Sequence, residues 1–520
     1  MGWKKILLIV IGVIMVGGVS TGWYLISNTD LDLYGPMYSS NCSSCHGGDM
    51  LGGDGGPALV GVGLTGGDDH EALQFSIREQ HPALNGFVGV LEDVEVKGLA
   101  IYVGEYRLGQ RFTEFRYDRE LNLPEQPQTS EVHSFSIETV IDNLDPLIFS
   151  IEPLPDGSIL VSEKERGLSV VDTNGVQSAL IEGTPQTGGS FDIMGIQYGS
   201  GWLLDVATHP DYANNGWIYL HYTHLLGDED TLNPIESSMN RLDRGRIVDG
   251  QWTDVETIWQ APEEFYVATP DTGAGGRIAF DDAGHVYISV GIKSAEGTRE
   301  ITSQDLNQPY GKIHRINDDG SIPLDNPYAA SDNTVQRTIW TYGHRSPQGL
   351  EWHPERGTVW NSEMGPRGGD ELNELLPGRN YGWPFFSEGL EYSGVHVERH
   401  KLHSLEFDAS EVQRTLVNIT PSPAISSFIF YTGDKFPNWR NNVLIGSLKG
   451  SSLFRMVFDG DKFLHQETLI KDLARIRDIE VADDGLIYLL LEREQGSSIV
   501  RLVPDNQHAG QSLAGLSGGS

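Results

Sequence analysis

Cysteine is almost absent from the chain. Only Cys42 and Cys45 occur in 520 residues, and both fall in one Cys-x-x-Cys-His string. No cysteine is left for a structural disulfide, and no second pair exists to complete a zinc site. Basic residues are scarce too, with 36 Lys and Arg against 73 Asp and Glu and a formal net charge of -37. Such a charge repels phosphate backbones and excludes a nucleic-acid partner. The carboxylate excess serves solubility and also suits a soluble partner with basic patches. Beyond about residue 135 no long helical period is found, which excludes a helical bundle for the larger part of the chain.

What the sequence does contain begins with Lys4 and Lys5 and an apolar run from Ile6 to Ile26. As a helix this run is long enough to cross a hydrocarbon core of roughly 30 Å, with the lysines left inside. It is longer than an ordinary signal-peptide core, ends in Trp23-Tyr24 and has no clear Ala-x-Ala site. An uncleaved anchor is therefore preferred over a cleaved signal. Both readings export the rest of the chain, to the periplasmic face of the inner membrane.

The length suits two or more domains. Residues 1–28 are read as the anchor or signal, and 29–112 as a first unit with a Gly-rich stretch and an amphipathic helical period from Leu91 to Val103. Residues 113–134 have linker composition. From 135 to 503 a Gly/Asp/Asn/Pro turn followed by a short apolar strand recurs six times, at 155–161, 214–220, 282–288, 354–360, 440–445 and 483–489. Irregularly spaced turn-strand units of this kind predict a β-propeller of six blades. Residues 504–520 have nothing to bury and read as a disordered tail. The expected fold is multidomain: a transmembrane helix, a small all-α domain and an all-β six-bladed propeller.

In Cys42-Ser-Ser-Cys45-His46 the two thiols have the spacing that adds to haem vinyl groups, and His46 follows as the axial ligand. From Tyr34 to Tyr106 the chain resembles a class I cytochrome c domain. In that family a Met-Pro dipeptide before the last helix supplies the sixth ligand, and the matching place here reads His81-Pro82. The resemblance thus makes His81 the candidate sixth iron ligand, with His70 and Met50 behind it. Imidazole in place of a thioether favours the ferric state.

The larger domain resembles the glucose/sorbosone dehydrogenase family of soluble quinoprotein aldose dehydrogenases. The strings that carry the likeness include Trp202-Leu-Leu-Asp-Val-Ala-Thr-His-Pro-Asp-Tyr212, Tyr342-Gly-His-Arg-Ser-Pro-Gln-Gly-Leu350, Ser362-Glu-Met-Gly-Pro-Arg-Gly-Gly-Asp-Glu-Leu-Asn373 and Arg475-Ile-Arg-Asp478. The resemblance implies a six-bladed propeller that binds pyrroloquinoline quinone (PQQ) and calcium and oxidises an aldose sugar or related alcohol. It carries quinone contacts onto Arg345, Tyr392, Lys449, Arg475 and Arg477, a set whose guanidinium forks suit carboxylates. It carries calcium ligands onto the carbonyls of Gly365 and Pro366, and a second calcium onto Glu371 and the carbonyl of Tyr381.

The likeness breaks at the catalytic base. The family's histidine position is Gly273 in Thr272-Gly-Ala-Gly-Gly-Arg277, the Asp expected after Gly291 is Ile292, and the Asn expected after Arg345 is Ser346. Asp271 is the nearest substitute base. Three readings stay open: a quinohaemoprotein passing electrons through its haem to a respiratory acceptor, an inactive propeller serving as a binding or scaffold module on an electron-transfer cytochrome, and an enzyme with an altered substrate or base, for which the cationic cluster speaks.

Overall fold

The computed structural model describes residues 32–80, 91–111, 114–193, 196–227, 235–293 and 301–505. The apolar run read as an anchor, His81 and the tail after Asp505 lie outside the described residues. Among the described residues no helix is long and apolar enough to cross a membrane. The chain divides into two compact units, the first running to Thr113 and taking in Leu390–His396, the second comprising the remainder from Glu114.

The first unit is helical, with Tyr34–Asn41, Ser43–His46, His70–Phe75 and Asp93–Leu108 as its α-helices. The last of these opens on a capping box between Glu92 and Glu95 and ends at left-handed Gly109, as an isolated amphipathic helix requires at its two ends. Val96, Leu99, Ala100 and Val103 repeat at helical spacing and are buried. Leu99, Ala100 and Val103 pack with Tyr34, Tyr38 and Leu73. At Gly98 a Cβ would fall inside the Tyr34 ring, so only glycine lets the two helices approach there.

The second unit is a six-bladed β-propeller. Its innermost strands are Ile148–Pro153, Leu203–Thr208, Gly275–Phe280, Pro347–His353, Ile425–Phe430 and Arg475–Val481 in blades 1 to 6. Each of the six turn-strand copies read from the sequence supplies the second strand of one blade, from Ile159–Glu163 in blade 1 to Ile487–Glu492 in blade 6. The second strand sits inside its sheet with adjacent blades packed against the faces, so it is buried along its length and reads as a continuous apolar run. Ser134–Leu144 pairs antiparallel with Ser497–Pro504. This joins the start of the unit to its end and leaves no open seam in the ring.

Residues 114–133 do not form a free linker. Tyr117 is buried, Leu121 and Leu123 pack on the core shared by blades 5 and 6, and Gln128–Thr129 pairs with the closing strand. Three apolar anchors among polar residues suffice for docking and are too sparse to show a period.

Candidate functional site

In the first unit the haem string lies on the helical turn that follows Tyr34–Asn41. His46 is buried, and its Nδ1 lies 2.7 Å from the carbonyl oxygen of Pro57. A carbonyl can only accept, so Nδ1 carries the proton and Nε2 the lone pair that a metal needs. Two glycines keep the space beside the string open. A Cβ at Gly55 would stand 2.9 Å from Cys45 Sγ, and one at Gly56 would stand 3.0 Å from His46 Cε1. Burial pushes the Cys42 thiol up to about 11, with Cys45 adding to it, so that thiol stays protonated unless a bond is made at its sulfur. Free thiols, a tautomer-fixed imidazole and a side-chain-free wall together fit a covalently held haem.

Of the sixth-ligand candidates, His81 lies outside the described residues. Met50 is fully buried in the core of this unit. His70 opens its helix with both ring nitrogens buried and unpartnered among the described residues. Burial, with Lys97 adding to it, pulls its pKa down to about 4, so the ring is neutral at physiological pH.

In the propeller, Arg475 and Arg477 both donate to Glu492, at 3.1 Å through Arg475 Nε and 2.8 Å through Arg477 Nη2. Lys164 reaches the same carboxylate at 3.3 Å. Lys164 and Glu492 stand at or just past the ends of second strands. The groups are buried, at 5%, 10%, 9% and 2% side-chain exposure for Lys164, Arg475, Arg477 and Glu492. Burial pulls the Lys164 ammonium down to about 8, against the pull of Glu492. Burial alone would raise the Glu492 carboxyl, but Arg477, Lys164 and Arg475 together hold it far below the carboxylate range. Three cations therefore share one anion in a desolvated place, an imbalance that anionic ligands relieve. Phe115 caps the cluster by accepting from Arg475 Nη1 at 2.7 Å, and the Tyr117 ring lies 5.7 Å from the Arg475 guanidinium.

Hydrogen bonds run from this cluster to Ser346, the residue that follows Arg345 in the chain. Arg477 Nη1 lies 3.5 Å from Gln348 Oε1, and Gln348 Nε2 donates to Ser346 Oγ at 3.0 Å. Arg345 donates to the carbonyls of Met364 and Gly365 at 3.0 and 3.1 Å, and its guanidinium lies over Trp383. The Gly365 N–H donates to Asp370 Oδ1 at 2.9 Å. Lys449 is buried and close enough to Asp370 to lower that carboxyl, although burial wins and raises it. Pro366 is buried beside Gly365.

Glu371 pairs across the sheet with Glu363, and Asn373 with Asn361. With the side-chain period of two, these four share one face of blade 4. Burial, then Glu363, raises Glu371 well above the usual carboxylate range, and both polar atoms of Asn361 are orphaned among the described residues. Such a set of hard oxygen donors fits a cation of the calcium type. Tyr381, buried, stacks on His344 at 4.8 Å. Tyr392 lies in the segment Leu390–His396, which belongs to the first unit, and is 55% exposed.

The base position is closed. A Cβ at Gly273 would stand 2.5 Å from the carbonyl oxygen of Ile292. Asp271 is a structural anchor rather than an open base: its Oδ1 is 2.9 Å from Lys293 Nζ and accepts from Ser238 Oγ, while its Oδ2 accepts from the Gly201 N–H. The sequence reading missed Lys164, Glu492 and Tyr117. A signal for Glu492 existed, since extending the repeats ends the second strands of blades 1, 4 and 6 on Glu163, Glu363 and Glu492.

A propeller that gathers buried cations on one network, carried in one chain with a haem-attachment string, defines a haem-bearing redox protein. The chain belongs to the glucose/sorbosone dehydrogenase family, whose sequence model matches residues 145–501. A second model, cytochrome c oxidase, cbb3-type, subunit III, matches residues 35–103. The chain is 33% identical over 312 residues to aldose sugar dehydrogenase YliI of Escherichia coli K12, covering 59% of this chain and 79% of the relative. It is 26% identical over 446 residues to quinoprotein glucose dehydrogenase B of Acinetobacter calcoaceticus, covering 72% and 88%. The crystal structure of the soluble aldose sugar dehydrogenase from Escherichia coli in its apo form superposes with a TM-score of 0.60 at 31% identity, over 71% of this chain and 100% of that one.

Proposed function

We propose that the chain is a quinohaemoprotein dehydrogenase. In this reading an aldose sugar or related alcohol gives up two electrons at PQQ in the propeller, and the electrons leave singly through the haem to a respiratory acceptor. The observation that carries it is the buried excess of Lys164, Arg475 and Arg477 over Glu492. PQQ, when bound, supplies a two-electron acceptor bearing three carboxylates, and haem supplies a one-electron carrier.

The chain's own residues do the holding. Arg475 and Arg477 are preset by Glu492, so little side-chain freedom is lost when they meet a carboxylate. Arg345 and Lys449 extend the cationic set. Calcium would be held by Glu371 with the Tyr381 carbonyl, and by the carbonyls of Gly365 and Pro366 once Arg345 releases the first of them. His46 orients its lone pair through Pro57. An anchor in the inner membrane, with the protein on the periplasmic face, belongs to the same reading.

A second reading, the inactive propeller acting as a binding module for the cytochrome, is favoured by the closed base position at Gly273. One experiment separates the two. The purified full chain is loaded with PQQ and Ca²⁺ under anaerobic conditions, and the haem α-band is followed as aldoses and alcohols are added. Reduction of the band supports the dehydrogenase; PQQ bound with no reduction by any substrate supports the second reading. Failure to bind PQQ overturns the proposal.

A further inference from the structure

Every blade contributes a polar side chain to one cavity of about 180 Å³ bounded by the innermost strands: Glu152, Asp205, Arg277, Glu351, Ser427, and from blade 6 both Asp478 and Glu480. Five carboxylates thus face one guanidinium. Arg277 satisfies two of them, donating to Asp205 Oδ1 at 3.1 Å and Asp478 Oδ1 at 2.7 Å. Their second oxygens accept from the N–H groups of Ile278 and Ile151, each at 2.9 Å. Glu152 accepts from the Thr208 N–H at 2.9 Å and from the Thr208 hydroxyl, both through Oε1.

Nothing comparable serves the rest. The side chains of Glu351 and Glu480 make no hydrogen bond or ion pair among the described residues. Ser427, which lines the same cavity, is 4% exposed, and its hydroxyl is unpartnered among the described residues. A buried hydroxyl without a partner costs free energy unless something in the cavity bonds to it. The carboxylates do not converge: among the described residues no group of three or more His, Cys, Asp or Glu stands close enough to hold a bare metal ion. The space is large instead, with room for about six waters at roughly 30 Å³ each.

We infer that this axial cavity binds one divalent cation together with its water shell, the bound waters bridging to Glu152, Glu351, Glu480 and Ser427. A strongly hydrated ion of the Mg²⁺ class suits it, because such ions dehydrate reluctantly and are held through their waters. The cation offsets a charge excess that the protein leaves unbalanced. Without it, burial and mutual repulsion hold the carboxyls of Glu351 and Glu480 well above the usual range, so they take up protons instead. The site uses none of the residues assigned to PQQ, calcium or haem and stands independently of those roles.

The test uses the full chain and Mn²⁺ as the probe, with free Mn²⁺ counted by its six-line electron paramagnetic resonance signal. Wild type, E351Q/E480Q and S427A are titrated beside E371Q, which alters the carboxylate pair of blade 4. The expected result is one Mn²⁺ lost per chain in E351Q/E480Q, affinity weaker by about 10- to 100-fold in S427A, the size seen when an outer-sphere partner is removed, and retention of that Mn²⁺ in E371Q. Double resonance on E371Q should show water protons on the remaining ion. Mg²⁺ should raise the melting temperature of wild type above that of the chelated protein and should not do so for E351Q/E480Q, a readout that needs no refolding of a damaged variant. Equal stoichiometry and affinity in wild type and E351Q/E480Q would overturn the inference. So would an ion without bound water, or a wild type that binds no Mn²⁺ lost in that variant.

Discussion

Restoring a histidine at Gly273 should fail to create a good sugar dehydrogenase, for a reason that lies in the backbone. The new Cβ would stand 2.5 Å from the carbonyl oxygen of Ile292, so one of the two segments must move. Neither is loose. The Ile292 N–H donates to the Arg345 carbonyl at 2.9 Å, and the adjacent Lys293 ammonium is buried between Asp271 and Ser238. On the other side the Ala274 N–H donates to the Asp271 carbonyl at 2.9 Å. Overpacking of this kind costs about 1–3 kcal/mol.

A general base in working position is worth about 10²–10⁴-fold. A histidine displaced by an ångström recovers little of that. Gly273→Ala isolates the clash without adding an imidazole. We therefore expect both variants to melt a few degrees below the parent, and Gly273→His, loaded with PQQ and Ca²⁺ and assayed on aldoses with an artificial acceptor, to stay within about tenfold of the parent rate. Adding Ile292→Asp does not help, because the obstructing atom belongs to the main chain. A rise of about 100-fold or more in Gly273→His with an unchanged melting temperature would mean that the Ile292 carbonyl does not obstruct this position.

Glu492→Gln leaves Lys164, Arg475 and Arg477 buried without their anion and should cost about 3–5 kcal/mol in the PQQ-free protein, with part of the loss recovered on adding PQQ; urea unfolding with and without the quinone measures both. Gly55→Ala places a Cβ 2.9 Å from Cys45 Sγ and should lower the fraction of chains carrying covalent haem, read by haem stain against total protein. His81→Ala should give a high-spin ferric spectrum; if the spectrum stays low-spin and His70→Ala abolishes it, the ligand role passes to His70. In the presence of chelator, stability should fall as pH rises from 4.5 to about 7, the interval over which burial has moved Glu152. The sign follows because a carboxyl raised in the fold binds its proton more tightly folded than unfolded, so its stabilisation is complete below 4.5 and is lost by the folded value. Glu351 and Glu480 act in the same direction, and urea midpoints for E351Q/E480Q should vary less across that interval.

Much of the fold was legible because each blade repeats a local signal. The turn before each second strand needs Gly, Asp or Asn, and the strand itself is apolar on both faces, so six short strings marked six blades. The haem string was legible for the same reason: its chemistry is set by residues within one short stretch of chain. What escaped was assembled from distant parts of the chain. Lys164 and Glu492 meet across 328 positions, and Phe115 meets Arg475 across 360. The cavity on the propeller axis collects one strand from every blade, and none of its carboxylates stands out in a sequence with 73 acidic residues. Asp271 stood out in the sequence only as the acidic residue nearest the missing base; only the fold shows Lys293 beside it.

The two ends of the propeller site differ in how they resist change, and this accounts for a retained cationic cluster beside a missing base. The cluster is a network: Glu492 holds three cations, and Gln348 and Ser346 lead on toward Arg345. Removing one member strands the others in a dry environment, so each substitution is costly by itself. The base position carries no such coupling. A glycine at 273 leaves no partner unsatisfied, and Ile292 packs with Trp383 and Val397. Loss of the proton acceptor is therefore compatible with full stability, whereas loss of the anion site is not. Cofactor binding and turnover are separable in this chain, and a bound quinone alone would not establish dehydrogenase activity; reduction of the haem by a substrate would.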